Sequence, residues 1–378
     1  MTSSLSEALG RTCRGRRVLV TGSTGFVGSW LSYILSLQGA EVIGLSLPVP
    51  RDGSFGRAEM AWGVQSVIGD VTNYPSVLAV MREYEPNVVF HLAAQALVLP
   101  SYEQPLSTFS TNVMGTANVL EALRVTRCAA CCVVITSDKC YAAPLGSHAS
   151  AHCETDPLGG DDPYSASKAA AEIVSQSYWR SFGGRQLPPM ATARAGNILG
   201  GGDWAPGRLV PDWARSTRDG RPLSLRHADA VRPWQHVLDA IAGYVLLAGA
   251  LLADATAEYV GAWNFGPSER SAVTVRQLVD MLQNSWNGRT GGPPVEVLAG
   301  GNGIGERPKE RDFLALDSSR AQAKLAWERL LDLDGAVDWT TEWYAAALYG
   351  GETDATAVVN AQIARYLALS NESGTAPN

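Results

Sequence analysis

Residues 21–28 read Thr21-Gly22-Ser23-Thr24-Gly25-Phe26-Val27-Gly28, three glycines at three-residue intervals, directly after an apolar run (17–21) and directly before helical periodicity. Glycines at this spacing let a chain turn tightly, bring backbone amides up to a diphosphate and press the following helix onto a sheet, its N-terminus facing the anion. The turn opens a series in which short β-branched runs alternate with helical stretches: 17–21, 30–38, 41–46, 66–68, 77–84, 88–92, 113–125 and 133–136. That alternation predicts an α/β chain built on a doubly wound parallel sheet with helices on both faces. Such a sheet binds its ligand at the carboxyl ends of the strands, so the chemistry is expected just after these runs.

Composition narrows the function. The 378 residues are 46% hydrophobic and 18% charged, enough apolar material for a large core. The net charge is −7 and there is no long Lys/Arg block, so a nucleic-acid partner is not expected. The longest apolar stretch, 240–253, lies between Asp239 and Asp254 and falls short of the ~20 residues of a bilayer span; it reads as a buried helix, and no membrane partner is expected. The segment through Arg17 is polar and basic without an apolar secretion core, so a cytoplasmic location is expected. Cys128, Cys131 and Cys132 open a strand-like run with no second Cys/His pair at zinc spacing, so buried free thiols are expected and no metal. His148, His152 and Cys153 read as solvent-exposed loop residues.

After about Arg185 the texture changes to glycine, proline and tryptophan. The expected division is a dinucleotide-binding domain at 1–190, completed by about 237–266, and a smaller, mostly helical substrate lobe at 191–236 and 267–369. A small polar tail at 370–378 is expected to be disordered.

Within this frame a chemical constellation is visible. Tyr164 and Lys168 stand at i and i+4, one turn apart on one helical face. An ammonium beside a phenol stabilises phenolate, so the Tyr164 pKa is expected to fall toward neutrality, suiting a base for a sugar hydroxyl. Ser137 closes a strand upstream, followed by Asp138-Lys139. The acid that grips a ribose about 20 residues past the glycines is replaced by Ser46, with Arg51 and Asp52 beyond it, so these residues encode the choice between NAD and NADP only weakly and leave NADP open. Asp70 could reach an adenine amino group or cap the helix near Tyr74.

The chain resembles the extended short-chain dehydrogenases/reductases that act on nucleotide sugars, a Rossmann family, and over nearly its whole length the CDP-glucose 4,6-dehydratases. The likeness is carried by Gly25-Phe26, Gly28-Ser29-Trp30-Leu31-Ser32, His91-Leu92-Ala93-Ala94-Gln95, Ser101-Tyr102-Glu103-Gln104-Pro105, Ser110-Thr111-Asn112-Val113-Met114-Gly115-Thr116 and Thr136-Ser137-Asp138-Lys139-Cys140-Tyr141. It continues in Arg194-Ala195-Gly196-Asn197, Gly200-Gly201-Gly202-Asp203-Trp204, Arg232-Pro233-Trp234-Gln235-His236-Val237 and Trp263-Asn264-Phe265-Gly266-Pro267.

The resemblance implies a hydro-lyase that oxidises the hexose at C4, eliminates water across C5 and C6 and returns the hydride to C6, giving a 4-keto-6-deoxyhexose. Ser137, Asp138, Lys139, Tyr164 and Lys168 would be catalytic, with Tyr164 taking the C4 proton, Asp138 serving as acid toward the C6 oxygen and Lys139 standing where dTDP-sugar relatives carry Glu as base. Such a lysine base needs a pKa depressed by burial or by Lys168. The implied NAD contacts are Gly22, Thr24, Gly25, Phe26, Val27, Gly28, Asp70, Val71, Leu92, Ala93, Ala94, Asn112 and Ala195, with Tyr164 and Lys168. The implied contacts to a nucleoside diphosphate hexose, CDP-glucose favoured, are Gln95, Tyr102, Asn197, Arg208, Arg232, Trp234 and Arg311, and Arg194 and Trp204 are further candidates.

The chain departs from the family pattern at Ser23 (usually His), Val27 (usually Lys), Leu99-Pro100, Asp161 and 307–312. The rival readings are an epimerase at C4 or C5, a dehydratase for another nucleotide sugar, and an NAD-binding regulatory relative without catalysis. The helix pair 105–126 and 164–182 resembles the surface on which family members dimerise, so a homodimer is expected.

Overall fold

The computed structural model describes residues 4–48, 63–143, 151–254, 257–267, 272–299, 314–350 and 352–373. Helix α1 (Leu5–Cys13) starts at a capping box in which Ser4 and Glu7 bond each other's backbone amides. The first half then alternates: β1 (Arg17–Thr21), α2 (Phe26–Leu37), β2 (Glu41–Ser46), β3 (Val64–Ile68), α3 (Tyr74–Tyr84), β4 (Val88–His91), α4 (Val98–Glu103) and α5 (Pro105–Phe109). A π-helical turn (Ser110–Met114) leads into α6 (Gly115–Thr126), followed by β5 (Cys131–Ile135), a 3₁₀ turn (Asp138–Cys140), α7 (Pro163–Phe182), β6 (Met190–Ala195) and β7 (Asn197–Leu199). The remainder comprises α8 (Leu209–Asp219), β8 (Leu223–Leu225), β9 (Val231–His236), α9 (Val237–Ala253), β10 (Gly261–Phe265), β11 (Ala272–Thr274), α10 (Val275–Thr290), β12 (Val297–Ala299), α11 (Ser319–Leu325), α12 (Leu333–Ala345) and α13 (Glu352–Ser373).

Seven strands form one parallel sheet in the order β10-β6-β5-β4-β1-β2-β3. Both faces are buried, and alternate residues of each strand serve opposite sides. Val18, Val20, Val88, Phe90, Cys131 and Val133 face α1, α2 and α9, whereas Leu19, Val89, Cys132 and Val134 face α3 and α6. The order reverses between β1 and β4, which opens the crevice in which doubly wound folds bind ligands. The apolar run at 240–253 is helix α9, buried along nearly its whole length.

Two boundaries differ from the sequence reading. β6 runs to Ala195 inside the large sheet, so the sheet extends five residues past the boundary expected at 190, because this strand pairs with both β5 and β10. Helix α13 continues to Ser373, past the point where a disordered tail was expected; Val359, Ile363 and Tyr366 bury against the core and hold it. The rest of that tail lies outside the described residues.

The smaller lobe carries a three-stranded sheet, β11-β9-β7, and a two-stranded one, β12-β8. An aromatic cluster of Trp204, Trp213, Trp286, Trp343 and Tyr344 ties α8, α10 and α12 together.

Candidate active site

A cavity of about 940 Å³ runs along the carboxyl ends of the central strands and under the smaller lobe. One end is formed by the β1–α2 turn. Gly22 has φ +74°, and a Cβ there would lie 2.7 Å from the Ala93 amide; a Cβ on Gly28 would lie 2.1 Å from the Gly22 carbonyl oxygen. Glycine is therefore obligatory at both positions for turn, helix and neighbouring strand to close up. Gly25 is the N-cap of helix α2 and offers no side-chain cap, so the first-turn amides at this end of the cavity are open to a ligand. Ser46 accepts a hydrogen bond from the Thr24 amide (3.1 Å) and lies 3.0 Å from the Ser23 hydroxyl, so a network of small hydroxyls stands at the end of β2.

Of the expected cofactor contacts, Gly22, Thr24, Gly25, Phe26, Val27, Gly28, Asp70 and Val71 line the cavity, as do Leu92, Ala93, Ala94 and Ala195. Asp70 also accepts from the Thr72 amide (2.8 Å), while Asn73 caps α3. Asn112 does not line the cavity. Its amide donates to Ser167 Oγ (2.8 Å) and the Gln95 carbonyl (3.0 Å), and its oxygen accepts from the Gln95 amide, because the π-helical turn rotates it inward to brace α7 against the loop after β4.

The other end holds the reactive groups. Ser137, Asp138, Lys139, Tyr164 and Lys168 all line the cavity. Ser137 ends the β5 connection and caps the 3₁₀ turn; its hydroxyl donates to Asp138 Oδ1 (2.9 Å) and accepts from the Lys139 amide (3.2 Å). Asp138 is 5% exposed, and burial raises its carboxyl above the ordinary value, against the opposing pull of Lys139, Ser137 and Arg232. Helix α7 is started by Asp162, which accepts from the Ser165 amide, with Pro163 at its first position.

Tyr164 corrects one expectation. Burial pushes its phenol up to about 12, outweighing the hydrogen bond with Ser137 and the nearby Arg208. Lys168 donates to the Ile135 carbonyl at 3.4 Å, and burial pulls its ammonium down to about 8, resisted by Cys140 and Glu172. In the protein alone the phenol is therefore raised, not drawn toward neutrality: desolvation outweighs the attraction of nearby cations.

Among the expected substrate contacts, Tyr102, Asn197, Arg208, Arg232 and Trp234 line the cavity. Arg208 pairs with Asp203 (3.1 Å), and Arg232 donates to the Val231 carbonyl (2.8 Å). Gln95 is outside the lining; its side chain bonds Leu97 N, Leu97 O and Thr108 Oγ1, folding back on its own loop. Arg194 is likewise turned away, fully buried and paired with Glu172 Oε2 (2.7 Å). Trp204 belongs to the aromatic cluster of the smaller lobe. Arg311 lies outside the described residues, as do Arg51, Asp52 and His148.

His152 is buried rather than solvent-exposed, its ring stacked 4.6 Å from Tyr141 and Nδ1 2.8 Å from Asp156 Oδ2. The sequence reading passed over Tyr244 of α9, which is among the residues that line the cavity. A single tyrosine in an apolar helical run gives no signal of facing a site.

A family model described as GDP-mannose 4,6 dehydratase matches residues 19–340. The chain is 39% identical to the CDP-glucose 4,6-dehydratase of Salmonella typhimurium over 343 residues, which is 89% of this chain and 92% of that protein. Among solved structures, the UDP-glucose 4-epimerase of Thermus thermophilus, in complex with NAD, superposes with a TM-score of 0.71 at 27% identity, covering 88% of this chain and 99% of the other. The dTDP-glucose 4,6-dehydratase of Streptomyces venezuelae, with NAD bound, gives a TM-score of 0.71 at 23% identity over 87% of this chain and 97% of its own, a likeness of fold.

Proposed function

This chain belongs to the GDP-mannose 4,6-dehydratase family, and from that membership we propose that it is a nucleotide-sugar 4,6-dehydratase that takes CDP-glucose to CDP-4-keto-6-deoxyglucose with NAD. One observation carries the reading: a buried carboxyl, Asp138, shares a cavity with Tyr164, Ser137 and the glycine turn. An epimerase that only oxidises and re-reduces C4 has no use for an acid at C6, so Asp138 favours elimination.

The residues present fit NAD. The uncapped N-terminus of α2 and the glycines of its turn suit the diphosphate, and Asp70, Val71 and Leu92 to Ala94 flank the path from adenosine to ring. When bound, the nicotinamide supplies a hydride acceptor whose positive ring also favours the phenolate of Tyr164. Tyr164 then takes the proton of the C4 hydroxyl while Ser137 holds the oxygen. With C4 as a ketone the C5 hydrogen is acidic, and Lys139 removes it. Asp138 gives its proton to the departing C6 oxygen, a role that the burial-raised carboxyl suits; the hydride taken from C4 then returns to C6 while Lys139 gives a proton back to C5. Arg208 and Arg232 serve the diphosphate of the substrate, with Tyr102, Asn197 and Trp234 around the sugar. The smaller lobe is thus the substrate lobe.

Two further parts of the reading concern assembly and compartment. Leu106, Met114 and Ile173 are exposed apolar residues on α5, the π-helical turn and α7, suited to pairing two copies in a homodimer. All six cysteines are free, as in a reducing cytoplasm, and no described helix is long and apolar enough to cross a membrane.

The test is incubation of the purified protein with NAD and a panel of nucleoside diphosphate hexoses in deuterated water. CDP-glucose should lose one water and gain one solvent deuterium at C5. An unchanged mass with an inverted hydroxyl would establish an epimerase instead. Light scattering should give the mass of a dimer.

A further inference from the structure

The phenol of Tyr244 is fully buried, and its hydroxyl has no hydrogen-bond partner among the described residues, yet Tyr244 is among the residues that line the same cavity as Tyr164. Buried hydroxyls are almost always paired, because leaving one unsatisfied costs the full desolvation of the group. The position is also rigid. The preceding residue, Gly243, packs so close to Phe265 that a Cβ would lie 2.4 Å from its ring, and the Tyr244 ring itself meets Phe265 edge-on at 5.9 Å. Helix α9 packs beneath β5 and β6, whose last residues, Ile135 and Ala195, line the cavity beside it. Tyr164 is close enough to Tyr244 that its ionisation raises the Tyr244 phenol further, beyond the larger effect of burial.

We propose that the Tyr244 hydroxyl is a cofactor-positioning group that hydrogen-bonds the carboxamide of the nicotinamide ring. The inference rests on the assignment of NAD to this cavity. If the diphosphate sits at the N-terminus of α2, the ring must reach the Tyr164 end for the sugar C4 to meet it, and that is the end Tyr244 occupies. A carboxamide offers both a donor and an acceptor, so a phenol can pair with it in either sense. The orphaned hydroxyl is then a cost borne by the free protein and relieved on binding.

The experiment compares the full-length protein with Tyr244→Phe, which keeps the ring and removes only the oxygen. Dissociation constants are measured by calorimetry for NAD and for ADP-ribose, which lacks the nicotinamide. The variant should bind NAD roughly tenfold more weakly, the loss of about one hydrogen bond, and ADP-ribose as the parent does. Without cofactor it should melt at or above the parent temperature, which also shows that it folds. NAD affinity within twofold of the parent, or an equal loss for both ligands, would overturn the proposal. A parent that binds ADP-ribose and NAD equally would overturn it too, whereas a parent that binds neither would sink the assignment of NAD itself.

Discussion

The hydroxyl of Ser137 donates to the carboxyl of its neighbour Asp138 over 2.9 Å, and both side chains are buried at the end of β5 in the wall of the cavity. The bond holds Asp138 beside Ser137 and pulls its pKa down, yet burial outweighs it and the carboxyl stays raised. A carboxyl held in this state can keep its proton closer to neutrality than a solvated one and donate it to a leaving hydroxyl.

Asp138→Asn should therefore lower turnover about 10²–10⁴-fold while leaving affinity for the nucleotide sugar within a few-fold. For the parent, the acid must be protonated, so turnover should fall as pH rises through the raised pKa of Asp138. Initial rates of keto-sugar formation across pH check both; a variant with parental turnover would remove Asp138 from the chemistry.

Tyr164→Phe should abolish turnover by a similar factor, since the ring would remain and only the proton acceptor would be lost. Binding of NAD, followed by calorimetry, should survive, because the glycine turn is untouched. Loss of cofactor binding together with activity would instead assign Tyr164 a structural part.

Glu172, one turn beyond Lys168, is fully buried and accepts from Thr136 (2.5 Å), Thr192 (2.8 Å) and Arg194 (2.7 Å). The Arg194 guanidinium also stands over the Tyr141 ring at 4.8 Å. Glu172→Gln leaves that guanidinium buried without its counter-charge and places an amide against donors, so unfolding in urea should show a loss of about 3–5 kcal/mol. A change below about 1 kcal/mol would mean that Arg194 finds another partner.

Asp239 on α9 accepts from Leu330 N (2.9 Å) and the Tyr366 hydroxyl (2.8 Å), while Oδ2 has no partner among the described residues. Burial raises its pKa from 3.8 to about 6. The folded state thus holds a proton that the unfolded chain gives up. This contribution to stability is full below about pH 4 and is lost as pH rises through about 6, amounting to up to about 3 kcal/mol. Asp239→Asn keeps the accepting oxygen, so melting curves of the two proteins should converge near pH 4 and separate above pH 6, with the variant the more stable. A separation independent of pH would contradict the argument.

The fold was readable because its determinants are local. The glycine spacing at 22–28 and the alternation of strand and helix reflect constraints that each segment carries by itself, and α9 announced its burial by composition. The site was readable where a motif fixes both the residue and the element end on which it stands, as for Ser137, Asp138 and the Tyr164 helix. What depends on the partner across a gap was not. The i, i+4 spacing of Tyr164 and Lys168 sets their common face but not the Ile135 carbonyl that receives the ammonium, nor the desolvation that raises the phenol. Asn112 sits buried in a π-helical turn, Gln95 folds back on Leu97 and Thr108, and His152 was buried by a stacking partner eleven positions earlier. Tyr244 reaches the cavity wall only because α9 packs against β5 and β6.

The central claim, internal transfer of hydrogen from C4 to C6 with loss of water, is tested most directly with CDP-glucose carrying deuterium at C4 and catalytic NAD. The account predicts a product one water lighter that keeps the deuterium, now on the C6 methyl group. Deuterium still at C4 beside an inverted hydroxyl, with no water lost, would contradict it.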